Sequence, residues 1–146
     1  MAVGPFNDDE WTVGEARAED GVSMIVRFRS HLPSAAARED WRHLVQIGWS
    51  CESADDDGMP DDVENGRQDA FEDALQAQVE SRGHGAQVAS LTGGGVREWR
   101  YYTRDPEVFF RSLNEALASH PEYPLEFTVF EDPEWDGLSE LLPPRN

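Results

Sequence analysis

The chain has 146 residues, the length of one domain, and 38% of them are hydrophobic, which is too many for a disordered acidic tail. Its 30 acidic residues against 12 basic ones, all of them arginine, give a net charge of −18. No apolar run is long enough to predict a transmembrane helix, and the single cysteine excludes an intramolecular disulfide.

The two chain ends carry the least patterned sequence. The N-terminus has neither a basic segment nor an apolar one, so it does not resemble a signal peptide, and we expect a cytoplasmic protein. We expect residues 1–10 to be flexible, residues 11–142 to form a single α+β domain, and residues 143–146 to be flexible again.

The first half of the chain predicts three strands. Residues 22–29 alternate apolar and polar side chains, as a half-buried strand does, and residues 11–19 are its expected hairpin partner. Residues 34–40 are small and polar, and we expect a loop there. Residues 41–51 alternate again, and we expect this strand near the sheet centre.

The second half predicts two helices and three strands. Apolar residues spaced by four indicate a helix over 61–82, and an Asp-Pro start indicates a second one over 105–119. Strands are expected at 86–92 and 95–103, joined by a glycine turn, and at 124–130. On that last strand, alternation predicts three inward-facing side chains: Leu125, Phe127 and Val129.

After the N-terminal hairpin, the order strand, helix, strand, strand, helix, strand predicts a ferredoxin-like split β-α-β sandwich. This is an α+β fold in which two helices cover one face of an antiparallel sheet. Right-handed crossovers place strands 41–51 and 95–103 in the middle. The N-terminal β-hairpin extends one edge, and the patterns leave open which one.

Three sequence blocks carry a resemblance: Gly58-Met59-Pro60, Thr92 to Trp99 with Tyr101-Tyr102, and Glu131-Asp132-Pro133-Glu134-Trp135. With them, residues 11–142 resemble a bacterial family known as domain of unknown function six-hundred-ninety-five. That family looks related to the regulator of ribonuclease E activity B, an acidic ferredoxin-like protein that binds and restrains an RNA-degrading enzyme. The resemblance implies a regulatory role by analogy and supplies no catalytic residues.

The acidic segment 52–64 partly matches a calcium-binding loop read from Ser53. Position 1 of that loop lacks a carboxylate, and a strand precedes the loop where a helix is needed. We therefore expect a solvated acidic loop and no cofactor. The weak candidates for metal ligands are Asp55, Asp57, Asp61 and Glu64.

Basic and aromatic residues concentrate on the strand 95–103 and on the first hairpin. We expect them on the sheet face away from the helices, where they would bind a protein partner or a second copy of the chain, since Trp, Tyr and Arg anchor interfaces. The alternative is that the arginine stems only cover the sheet and pair with carboxylates. The candidate partner-binding residues are Arg27, Arg29, Arg97, Trp99, Arg100, Tyr101, Tyr102 and Arg104.

The net charge restricts the class of molecule that the chain can bind. A charge of −18 repels phosphate backbones and anionic membranes, so we expect neither a nucleic acid nor a membrane and favour a basic protein. The alternative is that the acidity is common to the whole proteome. Neither Cys51 nor the four histidines have the spacing of a metal or catalytic site.

These observations predict a non-catalytic, acidic protein-binding domain that regulates another protein, such as an RNA-processing enzyme. A homodimer through the open sheet face is a further expectation. Two alternatives stay open. One is a small-ligand-binding protein or enzyme that uses carboxylates of the acidic loop or of the tail, and the other is an immunity-type or nucleic-acid-mimic protein.

Overall fold

A computed structural model describes residues 4–6, 9–17, 21, 23–51 and 61–142. The strands are β1 (Trp11–Arg17), β2 (Ser23–Arg29), β3 (His43–Ser50), β4 (Ala86–Gly93), β5 (Val96–Thr103) and β6 (Leu125–Glu131). The helices are α1 (Ala35–Asp40), α2 (Asp62–Leu75), α3 (Pro106–Ala116) and α4 (Asp136–Ser139), and α2 continues as a π-helical turn over Gln76–Glu80.

The strands form one six-stranded sheet in the order β1-β2-β4-β5-β3-β6, with every neighbouring pair antiparallel. The order from β3 to β6 is the predicted split β-α-β arrangement, so the ferredoxin-like α+β fold is confirmed. The N-terminal hairpin joins the sheet at β4, where Ile25 lies opposite Thr92. Within the described residues, β1 and β6 are therefore the two edges of the sheet.

Helices α2 and α3 pack on one face of the sheet. Asp61 begins α2 as its N-cap, because its carboxylate accepts the backbone N–H of Glu64 at 2.9 Å. The apolar spacing by four then brings one side of the helix onto β3 and β5. The buried residues of this helix-side core include Val45, Ile47, Trp49, Phe71, Leu75, Val79, Trp99, Tyr101, Phe109 and Leu113.

The opposite face of the sheet is also covered. The C-terminal segment folds back over it and inserts Trp135, whose ring stacks on Tyr102 with centroids 3.8 Å apart. Phe6, in the segment that the sequence assigns to a flexible end, packs edge-on against Trp135 at 5.7 Å. This second core includes Val26, Phe28, Trp41, Leu44, Val88, Tyr102, Trp135 and Leu138.

Residues 34–40, expected to be a loop, contain the short helix α1. The loop prediction is wrong because Ser34 accepts the backbone N–H of Ala37 at 3.2 Å as an N-cap, and the alanines that follow are strong helix formers. Within the described residues, no helix is both long enough and apolar enough to cross a membrane.

The last strand, β6, is less buried than its alternation predicts. Phe127 lies on the helix side, with its ring 5.4 Å from that of Phe110. It nevertheless stays 41% exposed, and Val129 stays 42% exposed. The prediction that both face the helix side is confirmed, because they lie opposite Ile47 and Val45 of the helix-side core. They stay partly exposed because β6 is an edge strand that the helices only partly cover, while Leu125 is partly buried.

Candidate functional site

The structure does not bring the eight candidate partner-binding residues onto one face. Trp99 and Tyr101 are fully buried beneath the helices, while Tyr102 is fully buried on the other face beneath Trp135. The expectation of a common open face is wrong because successive residues of β5 alternate between two faces that are both covered.

Arg100 and Arg104 are committed to contacts within the chain. Arg100 donates to the backbone carbonyl of Gly137 at 2.7 Å and also pairs with Glu98 and Glu140. Arg104 pairs with Asp40 at 2.6 Å, and its guanidinium lies over the ring of Trp41. These two arginines therefore hold the C-terminal segment and α1 against the sheet.

The remaining candidates, Arg27, Arg29 and Arg97, lie together on the helix side of the sheet. The hairpin adds two strands beyond the helix layer, and this leaves an open groove between β1–β2 and α2. The groove consists of two cavities of about 390 and 330 Å³, and Arg27 lines both of them. We call it the hairpin groove, and its other lining residues include Trp11, Arg29, Glu72, Glu80, Gln87 and Arg97.

Arg27 is held in a fixed orientation in the middle of this groove. Its guanidinium carbon lies 3.9 Å above the ring of Trp11, and Nη1 donates to Oε1 of Gln87 at 3.4 Å. Gln87 is fixed in turn by donating to the buried hydroxyl of Tyr101 at 3.1 Å. Among the described residues, no carboxylate lies within ion-pair distance of Arg27, and its orientation is set by Trp11 and Gln87.

The two flanking arginines differ because each has a carboxylate partner. Arg97 donates to Glu72 at 2.8 Å, and its guanidinium lies 4.9 Å from the ring of Trp99. Arg29 lies 3.4 Å from the carboxylate of Asp9. The hairpin groove therefore has an ion pair at each end, and Arg27 lies between them with Glu80 as the nearby acidic lining residue.

Glu80 lies on the floor of the hairpin groove and accepts the backbone N–H of Gln87 at 2.9 Å. Burial of this carboxyl raises the pKa of Glu80 above its ordinary value of 4.5. The folded chain therefore binds this proton more tightly than the unfolded chain does. The stability linked to Glu80 is fully present below the ordinary value and is lost as pH rises through the folded-state pKa.

Glu80→Gln is expected to change the pH dependence of stability, because the amide keeps an acceptor for Gln87 and removes the buried charge. Relative to wild type, the variant should gain stability between about pH 5 and about pH 7. Urea unfolding at both pH values measures this difference. The exposed residue Glu122 offers the same substitution as a control, and an equal change in both variants would contradict the assignment.

Only half of the candidate metal ligands lie within the described residues, since Asp55 and Asp57 fall outside them. Asp61 caps α2, and Glu64 accepts the indole N–H of Trp49 at 3.3 Å and pairs with Arg67 at 2.9 Å. Among the described side chains, no three of His, Cys, Asp and Glu are grouped so that they could hold a metal ion. The expectation of a solvated acidic loop without a metal ion stays a prediction.

Cys51 lies at the end of β3, and Gln68 donates to its sulfur at 3.6 Å. Burial raises the pKa of the Cys51 thiol above its ordinary value. The neutral thiol is a weak nucleophile, so the geometry agrees with an unreactive residue.

The carboxylates of the Glu131 to Trp135 block have different surroundings. Asp132 is buried and accepts three hydrogen bonds: from the hydroxyl of Tyr102 at 2.6 Å and from the backbone N–H groups of Asp136 and Gly137, each at 3.0 Å. Glu134 is exposed and lines a third cavity of about 320 Å³ near Arg38. Asp132 therefore orders the C-terminal segment, while a small-ligand role for Glu134 stays a prediction.

Sequence reasoning missed Trp11, the residue that orients Arg27. In the β1–β2 ladder, Trp11 lies opposite Arg29, and Val13 lies opposite Arg27. All four side chains therefore share the helix-side face. The register of the hairpin could have placed Trp11 near Arg27, because an antiparallel pair fixes which residues of the two strands are neighbours.

Comparison with models of protein families matches residues 9–142 to a family described as Family of unknown function (DUF695). The match covers the whole sheet, the helices and the hairpin groove. No curated protein matches the chain significantly.

Proposed function

The chain belongs to the family of unknown function DUF695, and for this member we propose a non-catalytic protein-binding role centred on the hairpin groove. The groove receives an extended segment of a protein partner and places one carboxylate of that segment on Arg27. One observation carries the proposal above the others. Arg27 is stacked and hydrogen-bonded in an open groove, and no described carboxylate lies within ion-pair distance of it.

A fixed guanidinium suits carboxylate recognition for two reasons. Its planar set of N–H donors matches the two oxygens of a carboxylate, so that both can bind at once. Contacts with Trp11 and Gln87 already restrict the side chain, so less conformational entropy is lost when a ligand binds. An unrestrained surface arginine would bind the same group more weakly.

The rest of the hairpin groove suits a polypeptide segment. Val13 and Ile25 are 66% and 45% exposed beside Arg27 and offer an apolar contact. Side chains of Gln76, Ser90 and Thr92 offer hydrogen bonds. An extended segment presents backbone groups, apolar side chains and one acidic side chain together, so it can use all three kinds of contact.

The net charge restricts which protein can deliver that carboxylate. At −18, the chain repels a strongly acidic molecule at long range, so the partner has to be basic around its acidic contact residue. This requirement supports the role that the sequence suggests, which is the regulation of a basic protein. By analogy with the regulator of ribonuclease E activity B, a cytoplasmic RNA-processing enzyme is the class of partner to test first.

Peptide binding tests this proposal directly. A fluorescent peptide of about ten residues, with one central Glu among Lys and Ser, is compared with the same peptide carrying Gln. Wild type should bind the Glu peptide roughly tenfold more tightly, because a charge-assisted hydrogen-bonded pair replaces a neutral one. Arg27→Ala should abolish this preference. Arg111→Ala, on the exposed side of α3, should retain it.

Trp11 gives a second, local signal for the same experiment. It is partly exposed, whereas Trp41, Trp49, Trp99 and Trp135 are at most 1% exposed. Acrylamide quenching therefore acts mainly on Trp11, and a peptide in the hairpin groove should reduce it. Binding should also weaken as salt rises. Equal affinity for both peptides, or unchanged quenching when the Glu peptide is bound, would contradict the proposal.

A further inference from the structure

The edge strand β6 exposes more large apolar side chains than the opposite edge. Phe127, Val129 and Phe130 are 41%, 42% and 45% exposed, whereas β1 exposes only Val13 among the large apolar residues. The sequence of β6 contains no proline, its two charged residues Glu126 and Glu131 lie near its ends, and the strand pairs in register with β3 over its whole length. Edge strands that stay unpaired usually carry a proline, a central charged side chain or a bulge, which prevents pairing with another chain.

The backbone of β6 directs a second row of hydrogen-bonding groups outward. Ser50 donates to the carbonyl of Pro124 at 3.3 Å, and Asp132 donates to that of Arg42 at 2.6 Å. In an antiparallel ladder, alternate residues bond to the same neighbour, so the even-numbered residues of β6 face β3. The N–H and C=O groups of Phe127 and Val129 therefore point away from the described sheet.

We propose that two copies of the chain associate through β6, antiparallel about a two-fold axis at Thr128, to form one continuous sheet. In this register Phe127 of each copy lies opposite Val129 of the other. These are the residues whose backbone groups point outward, so each pair exchanges two hydrogen bonds. A two-fold axis makes the contact self-complementary and closed at two copies.

The side chains fit the same register. On the helix side, Phe127 and Val129 of both copies form one apolar cluster that continues onto Phe110, whose ring contacts Phe127. Glu126 falls opposite Phe130 of the second copy, and Glu131 falls opposite Leu125. No acidic residue of the strand is thus placed opposite another acidic residue. Like charges directly opposite each other would destabilise the strand pair.

The charge of the whole chain predicts how this dimer responds to salt. Two copies at −18 repel each other, so screening should strengthen the association. Binding of a basic partner in the hairpin groove should respond in the opposite direction. The two proposals are therefore independent, and the sign of the salt effect separates them.

Cysteine cross-linking tests the register. At the two-fold axis, Thr128 and its copy form a non-hydrogen-bonded pair with Cα atoms about 4.5 Å apart, which is within disulfide range. Glu126 and its copy are separated by four residues, or about 13 Å, along the strands. In a Cys51→Ser background, Thr128→Cys should therefore oxidise to a covalent dimer at least roughly tenfold faster than Glu126→Cys. Equal rates, or no covalent dimer for either, would overturn the proposal.

Sedimentation velocity tests the association without cysteines. The mass should rise with concentration toward twice 16.4 kDa. The dissociation constant should fall roughly tenfold between about 50 and 500 mM salt. Val129→Lys should abolish the dimer, while Val13→Lys on the other edge should leave it unchanged, with circular dichroism confirming that both variants fold. A wild type that stays monomeric at about 1 mM in high salt, or a dimer that persists in Val129→Lys, would refute it.

Discussion

Replacing Trp135 by alanine is expected to lower the free energy of unfolding by about 4 kcal/mol, the largest effect of any substitution considered for this chain. The indole is fully buried, stacks on Tyr102 and donates to the backbone carbonyl of Trp41 at 3.0 Å. Its removal leaves a cavity between the sheet and the C-terminal segment and an unpaired carbonyl. The neighbouring side chains can close this cavity only partly, because they are themselves packed in the same core.

Urea unfolding followed by circular dichroism measures this loss. Trp11→Ala is the matched control, because it removes the same side chain from a partly exposed position. It should lower the free energy of unfolding by less than about 1.5 kcal/mol. A loss for Trp135→Ala as small as that expected for Trp11→Ala would show that the C-terminal segment contributes little to the core.

Asp132→Ala should lower the free energy of unfolding by about 3 kcal/mol. The substitution leaves three donors without their acceptor: the hydroxyl of Tyr102 and the backbone N–H groups of Asp136 and Gly137. Burial, together with the hydrogen bond to Asp132, raises the pKa of Tyr102, so this hydroxyl keeps its proton in the folded chain. Buried donors that lose their partner cost more than one hydrogen bond is worth.

Two further variants separate the contributions at this position. Tyr102→Phe removes only one donor and should cost about 1 kcal/mol. Glu134→Ala removes an exposed carboxylate two residues along the chain and should be within about 0.5 kcal/mol of wild type. If Asp132→Ala were as mild as Glu134→Ala, the hydrogen bonds to Asp132 would not order the C-terminal segment.

The residues that carry the family resemblance and the residues of the hairpin groove are largely different sets. Asp132 and Trp135 hold the C-terminal segment, and the glycine turn between β4 and β5 uses Gly94 and Gly95 at positive φ of 61° and 78°. Trp11 and Arg27 lie outside those blocks. The blocks therefore contribute mainly to the fold, and the binding proposed for the hairpin groove rests mostly on residues outside them, with Thr92 and Arg97 as the exceptions.

The sequence by itself determined the six strands, the two long helices and their order, but not the short helices α1 and α4. Alternation along β2 and β3 correctly separated the residues of one face from those of the other, because side chains of a strand point to its two faces in turn. Spacing by four correctly oriented the buried side of α2 through Phe71 and Leu75. These are short-range regularities, and they were sufficient to derive the split β-α-β order.

Only the tertiary structure decided which faces and edges are open. Alternation shows that Arg100 and Tyr102 share a face, but the cover on that face comes from Trp135, whose indole bonds to Trp41 across 94 residues of sequence. In the same way, the hairpin joins the sheet at β4, which leaves Arg27 in an open groove and β6 at the far edge. Exposure depends on contacts between distant segments, and a local pattern does not encode those contacts.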